Sequence, residues 1–342
     1  MKFSVGYSAR ETDSFVREII RLSESIAEVY FSLPGMPSGR SRGSFGFFAS
    51  ERESAGRMLC DLAKMADAGL KFNLLFNANC YGAMAESRAL FSEVGEGIDF
   101  VREKFGLSSV TTASPLIAKF VKQNFSGLDV RASVNMSIGS PEGMDYVSDY
   151  YDSFYIKREL NRDIGAVREL VKMAEDRGKR LYILANSGCL NNCSAHTFHD
   201  NLVAHEREAA MMDNGYQFTG VCREYLSKNA SGEGFIALTN FIRPEDTHYY
   251  DGLVGAMKLA TRVHPSPERV LRAYVERGRF SGNAAGLLEP DHSGILYPYV
   301  IDNSVLSSEV REDKLIINHA SEAFIRLEEN YAYQQNDQGS CV

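Results

Sequence analysis

The sequence predicts a (β/α)8 barrel, an α/β fold of the TIM type, built as a single domain with a C-terminal extension. Two observations carry that prediction. Strand-like and helix-like stretches alternate about eight times in fewer than ~290 residues, which implies βαβ units and a parallel sheet. No glycine-rich dinucleotide fingerprint follows the first strand, which argues against a doubly wound sheet.

Taken in order, Lys2 to Tyr7 (KFSVGY) reads as a strand. Ser14 to Ile26 places Phe15, Ile19, Leu22 and Ile26 at the spacing of an amphipathic helix. Ala27 to Leu33 reads as a second strand. Pro34 to Ser50, rich in Gly, Ser and Arg, is too long for a plain connector and reads as a functional loop. Ser54 to Gly69 is helical, Lys71 to Phe76 a third strand, and Arg88 to Phe105 a helix. Ser109 to Ala113 is a strand, and the helix after it opens on Ser114-Pro115, a good N-cap and first-turn pair. Asp129 to Met136 reads as a strand, Pro141 to Tyr151 as a helix and Ser153 to Leu160 as a strand. Asp163 to Gly178 is a helix with a glycine stop. Leu181 to Ala185 is an apolar strand, Gly234 to Leu238 and Ala256 to Leu259 are short strands, and Ser266 to Gly278 is a helix. Residues 1–280 thus form the barrel, 281–333 an extension packed on it, and 334–342 a flexible tail that holds Cys341.

The totals leave the chemistry open but narrow the partners. The chain has 342 residues, 44% hydrophobic and 24% charged, enough for a sizeable core. Its net charge of -8, with both signs interspersed, gives no nucleic-acid signature. MKFSVGYSARETDSF lacks a signal-peptide apolar region, and no apolar run approaches the roughly 18 residues of a membrane span. A cytoplasmic protein is the expectation. In a reducing compartment, clustered cysteines point to metal binding or catalysis.

In a barrel the active site lies where the strands end. Five strand-like stretches end in asparagine: Asn77 with Asn79, Asn135, Asn161, Asn186 and Asn240. A ring of amides could hold a polar substrate, although asparagine is also common at turns and helix caps. Cys80 follows one strand and Cys189 another; Cys193 lies four residues past Cys189, and Cys222 beyond a helical insertion. Thiolates select zinc or iron–sulfur, and four around one rim would suit a [4Fe–4S] cluster. Cys60 sits near Met58, Leu59 and Leu62 and reads as core. His196 and His199 could be ligands, acid–base groups or substrate contacts. Within Asn240 to Arg262, Glu245 and Asp246 can cap a helix starting at Thr247, while Lys258 and Arg262 bracket a short strand and could meet an anionic substrate. No Gly-x-Ser-x-Gly or His-Glu-x-x-His signature occurs, and no nucleophile–base pair is evident.

Two stretches carry a family resemblance. Asn186-Ser187-Gly188-Cys189-Leu190-Asn191-Asn192-Cys193 followed by His199 resembles the cysteine motif of the collagenase-like peptidase family U32. Phe241-Ile242-Arg243-Pro244-Glu245-Asp246, followed by Met257-Lys258-Leu259-Ala260-Thr261-Arg262, is similar to a second family stretch. Leu75 to Cys80 and Asn161-Arg162-Asp163 resemble two further ones, so the likeness spans roughly residues 1–280. Departures are Ser187 where the family has an acid, Ser194 where it has proline, and His196 where it has arginine.

The resemblance implies a TIM-like barrel with a [4Fe–4S] cluster on Cys80, Cys189, Cys193 and Cys222. It also implies oxygen-independent hydroxylation or a related redox modification of a small organic substrate. His196 or His199 would then move protons, and Arg243, Lys258 and Arg262 would hold the carboxylate of that substrate. Peptide hydrolysis is the alternative that the family label invites. A non-catalytic, cluster-bearing subunit is the other, which leaves room for a partner protein or a homo-oligomer.

Overall fold

The computed structural model describes residues 1–10, 12–36, 38, 50–216 and 218–327. Eight parallel strands close into a barrel in sequence order: β1 (Phe3–Gly6), β2 (Ile26–Phe31), β3 (Phe72–Phe76), β4 (Leu107–Thr112), β5 (Asp129–Ala132), β6 (Ser153–Tyr155), β7 (Arg180–Leu184) and β8 (Met257–Leu259). β8 pairs back onto β1, Phe3 opposite Met257. The predicted fold class is the observed one. Among the described residues, no helix is long and apolar enough to cross a membrane.

The outer ring begins with α1 (Ser14–Arg21), α2 (Glu51–Asp67), α3 (Arg88–Phe105), α4 (Pro115–Asn124), α5 (Pro141–Asp145) and α6 (Ile164–Asp176). Ser50, Ser87, Ser114, Ser140 and Asp163 each cap a helix by accepting a backbone N–H of its first turn. The main apolar core lies between strands and helices, with Phe3, Val5, Val29, Phe31, Val110 and Val130 pointing outward into it. Cys60 does not join that core and is exposed, although Met58, Leu62 and Met65 of the same helix are buried. Two residues past Met58 is about 200° round the helix, so Cys60 faces solvent.

The barrel lumen, by contrast, is polar. Glu28 on β2 accepts from Ser4, Asn73, Ser109 and Arg131, whose strands are β1, β3, β4 and β5. β2 and β5 are not neighbours, so the 2.5 Å bond from Arg131 to Glu28 crosses the lumen. Asp129 and Ser153 complete the layer by bonding Arg131. Next along the strands come Tyr30, Tyr155 and Lys258, whose Nζ lies over both rings. Gly6 makes room for this second layer: a Cβ there would lie 2.6 Å from the Tyr30 ring.

Between β7 and β8 the chain makes a long excursion with α7 (His196–Ala204), α8 (Glu206–Ala210), α9 (Val221–Asn229) and α10 (Gly232–Leu238). Gly234 to Leu238, read above as a strand, is therefore helical. Ser231 caps it by accepting from Gly234 N, and a five-residue apolar run cannot by itself separate strand from buried helix. Three further elements are shorter than predicted: β5 ends at Ala132, α5 at Asp145 and β6 at Tyr155, each running on into tight turns. Ile26, placed above at the end of the first helix, opens β2 instead.

α11 (Pro267–Glu276) follows β8, then a short α12 (Ser293–Leu296) and two small antiparallel sheets. These sheets pair β9 (Tyr299–Ile301) with β12 (Phe324–Arg326), and β10 (Ser307–Arg311) with β11 (Lys314–Asn318). A second apolar cluster joins Leu226, Phe235, Ile236 and Phe241 of the excursion to Leu288, Leu296, Ile301 and Ile317. The segment 334–342 with Cys341, and most of the loop read at 34–50, lie outside the described residues.

Candidate active site at the barrel mouth

The C-terminal ends of the strands surround a small cavity of about 100 Å³. Arg158, Lys258 and Arg262 all line it, with Asp200 and Glu289 as its acids and Cys189, His196, His199, Asn77 and Asn135 on its walls. Two guanidiniums and an amine in so small a space are built for an anion. Arg262 reaches Ser32 Oγ at 3.2 Å, and Arg158 donates to Asn135 Oδ1 at 3.1 Å. Arg158 also contacts Nε2 of His196. A guanidinium only donates, so that nitrogen accepts and the ring proton sits on Nδ1. Burial, then the neighbouring guanidinium, lowers the His196 pKa, which keeps the ring neutral near neutral pH. Asp200, one turn on at 3.3 Å, works in the opposite direction.

Lys258 projects from β8 into the lumen and is 6% exposed. Its Nζ lies 4.1 Å from the centroid of Tyr30 and 5.0 Å from that of Tyr155. Burial, then the Arg262 charge, lowers its pKa from an ordinary 10.5 to about 7. His199 also borders the cavity and packs on Phe218 at 5.5 Å between ring centroids.

The predicted amide ring divides. Asn77 and Asn135 line the cavity. Asn161 and Asn186 instead bond backbone groups around the strand ends, Leu184 O for the first and Ala260 N, Ala260 O and Leu287 O for the second. Asn240 holds Glu159 O and Asn191. Asn79 bonds Asp200 at 3.2 Å and so fixes that acid.

Arg243 is not at the mouth. It is 3% exposed and forms a two-pronged pair with Asp246, at 2.8 and 3.0 Å. Its remaining donors go to Leu306 O and Ser308 in the extension. Its expected substrate role is corrected: every arm of the fork is committed to the fold. Asp246 is likewise the partner of Arg243 rather than a helix cap.

The cysteines fall into two sets. Burial raises the Cys222 pKa first, and the neighbouring Cys189 and then Cys193 raise it further. All three are free. Soft, unpaired thiols of this kind suit a thiolate-held group at three positions. Among the described residues, however, no three His, Cys, Asp or Glu side chains already stand at metal-ligand distance. The loop carrying Cys189 is pinned by the segment after Leu288: Gly188 N donates to Glu289 O, and His292 Nε2 donates to Gly188 O at 2.7 Å. A Cβ at Gly188 would lie 2.5 Å from Pro290 O, so only glycine permits this approach.

Cys80 stands apart. Its thiol accepts from Gly82 N at 3.4 Å, and the neighbouring His205 lowers its pKa. His205 follows the C-terminus of α7, whereas Cys193 precedes its N-terminus, and a nine-residue helix is about 13 Å long. Cys80 thus lies beside His205, past the end of α7 opposite Cys193.

Sequence reasoning missed Arg158, Asp200, Tyr30, Tyr155 and Glu289. Asp200, four residues past His196, was open to a helical-spacing argument. Tyr30, two past Glu28 on a strand, was open to an alternation argument. Glu289 comes from the extension and has no local signal.

No family model matches the chain. Over 265 residues it is 26% identical to the uncharacterized protease MJ1657 of Methanocaldococcus jannaschii, covering 73% of this chain and 74% of that one. The solved structure of the U32 peptidase Mk0906 superposes with a TM-score of 0.53 at 12% identity, over 75% of this chain and 92% of that one. The second likeness shows the barrel fold.

Proposed function

We propose that this barrel, a U32-family protein, is an enzyme that holds a small carboxylate-bearing substrate at its mouth beside a thiolate-bound iron–sulfur cluster, and carries out an oxygen-independent hydroxylation or related redox modification. The observation that carries the proposal is the shared cavity: Arg158, Lys258 and Arg262 converge in the space that Cys189 also lines. Arg158 and Arg262 bind the carboxylate, while Asn77 and Asn135 orient its polar groups. His196, neutral and protonated on Nδ1, accepts a proton at Nε2 once substrate displaces Arg158 from it. Asp200 steadies the imidazolium that results. Cys189, Cys193 and Cys222 would hold the cluster, which supplies one-electron transfer when bound.

Anaerobic purification with iron and acid-labile sulfide quantified tests this. About four irons and four sulfides per chain, with a band near ~400 nm, are expected. Cys189→Ser, Cys193→Ser and Cys222→Ser should each lose most of the iron and the brown colour, whereas Cys80→Ser should keep it. Zinc, no metal, or full iron in Cys189→Ser would sink the assignment.

Peptide hydrolysis is favoured by one specific arrangement. Cys80 pairs with His205, whose Nδ1 lies 2.6 Å from Glu208 Oε2, so nucleophile, base and orienting acid follow one another. The neighbouring His205 lowers the Cys80 pKa and favours the thiolate. In this reading, Cys80 should be alkylated by iodoacetamide at pH 7 about tenfold faster than the exposed Cys60. Peptide cleavage without a redox donor should vanish in Cys80→Ala. Equal alkylation rates would remove the second reading.

A further inference from the structure

Lys258 is placed unlike a residue whose work is to counter a carboxylate. Its ammonium position is enclosed by the Tyr30 and Tyr155 rings, and among the described residues it has no acid at ion-pair distance and no hydrogen-bond partner. Of the acids around it, Glu28 in the layer below is already bound by Arg131 at 2.5 Å, and Asp200 and Glu289 lie on the wall of the same cavity. Arg262, Arg131 and Arg158 share its sign. Two arginines already serve the anion in the same cavity, and a third cation would add charge without adding a fork. A buried amine with its pKa brought to about 7 by these surroundings carries a free lone pair at neutral pH.

We infer that Lys258 is a nucleophilic amine that forms an imine with the carbonyl carbon of a 2-oxo acid whose carboxylate sits on Arg158 and Arg262. This rests on the reading of the mouth as a site for a small carboxylate-bearing substrate. Nζ attacks the carbonyl carbon and a C–N bond forms. The carbinolamine then expels the former carbonyl oxygen as water, which takes both amine protons of the neutral lysine, and a C=N bond remains. No oxidant or reductant is consumed. His196 and Asp200 stand on the cavity wall to carry those protons to the departing oxygen. The small cavity selects a short acid.

The test is reductive trapping: the whole protein is incubated with pyruvate and sodium cyanoborohydride at pH 7.5, followed by intact mass and peptide mapping. One adduct per chain is expected, on Lys258, at a rate at least about tenfold above any surface lysine. It should be lost in Lys258→Arg, which keeps the charge but forms no imine, and in Lys258→Met, with thermal melts confirming that both are folded. Adducts spread over surface lysines with Lys258 unmodified would overturn the inference, and so would equal labelling of a folded Lys258→Arg. Acetaldehyde separates this from the reading beneath it. If it labels Lys258 as fast as pyruvate, the imine stands and the carboxylate site falls. If pyruvate raises the melting temperature but leaves Lys258 unlabelled, the carboxylate site stands and the imine falls.

Discussion

Arg131→Met is expected to destabilise the barrel by about 3–5 kcal/mol, because it strands a buried carboxylate inside the lumen. Glu28 is 5% exposed, and burial alone would raise its pKa. Arg131, then Asn73 and Ser109, overcome that and hold it below its ordinary 4.5. The sign of the pH effect follows from that direction. In the native chain, the contribution of Glu28 is present above about pH 4.5 and is lost as pH falls through the depressed folded value. With methionine at 131, only the neutral donors Ser4, Asn73 and Ser109 oppose burial, and the folded pKa rises above the unfolded one. The variant then gains relative to its unfolded state on acidification, while the native protein loses. Urea melts should show the gap between the two as largest near pH 7 and narrower at pH 4. A gap independent of pH would mean that Glu28 is not the charged partner. Glu28→Gln combined with Arg131→Met should be milder than Arg131→Met alone, since the Glu28 charge is then gone and Asp129 keeps Arg180 at 3.4 Å and Ser153 at 2.8 Å.

That network also marks where the sequence stopped being legible. Ser4/Gly6, Glu28/Tyr30, Ser109/Thr111 and Ser153/Tyr155 alternate with apolar residues, the pattern of a strand with one wet face. In the folded chain those positions face each other across a closed lumen instead. Alternation reports that two faces differ, not that the polar one is enclosed. The barrel itself was readable because each strand–helix pair carries its own period and caps. Pairings set by long separations were not. Cys80 and His205 lie 125 positions apart, Gly188 and His292 104, and nothing local at either end announces the other. The spacing of Cys189 and Cys193 was a local signal and led to the mouth. The short strand Met257–Leu259 likewise marked the way to Lys258, although its depth and its aromatic walls depend on β2 and β6.

Arg243→Ala is the second large loss expected, also about 3–5 kcal/mol, and it separates two arginines that look alike in the sequence. Arg243 joins Asp246 to Leu306 O and Ser308, and Glu245 lies 3.1 Å from its Nη1. Removing the side chain leaves the Asp246 carboxylate buried, with Ser308 as its remaining partner, and removes one tie of the β10–β11 hairpin to the barrel end, where Gly165 N–Asp313 O and Leu315 N–Arg162 O remain. The melting temperature should drop steeply. Lysine should rescue little, because a single ammonium cannot replace two parallel N–H donors and a third to a carbonyl. Protein that remains folded should bind an anionic ligand such as pyruvate as the native chain does. Arg262→Ala should do the reverse, with a near-native melt and anion affinity weakened about tenfold or more. Melts and calorimetric titrations on the two variants decide it. Lost anion affinity in folded Arg243→Ala would return that residue to the site and move the site toward the extension. A steep stability loss in Arg262→Ala would make the mouth cations a structural cluster, and the cavity they line would no longer argue for a substrate.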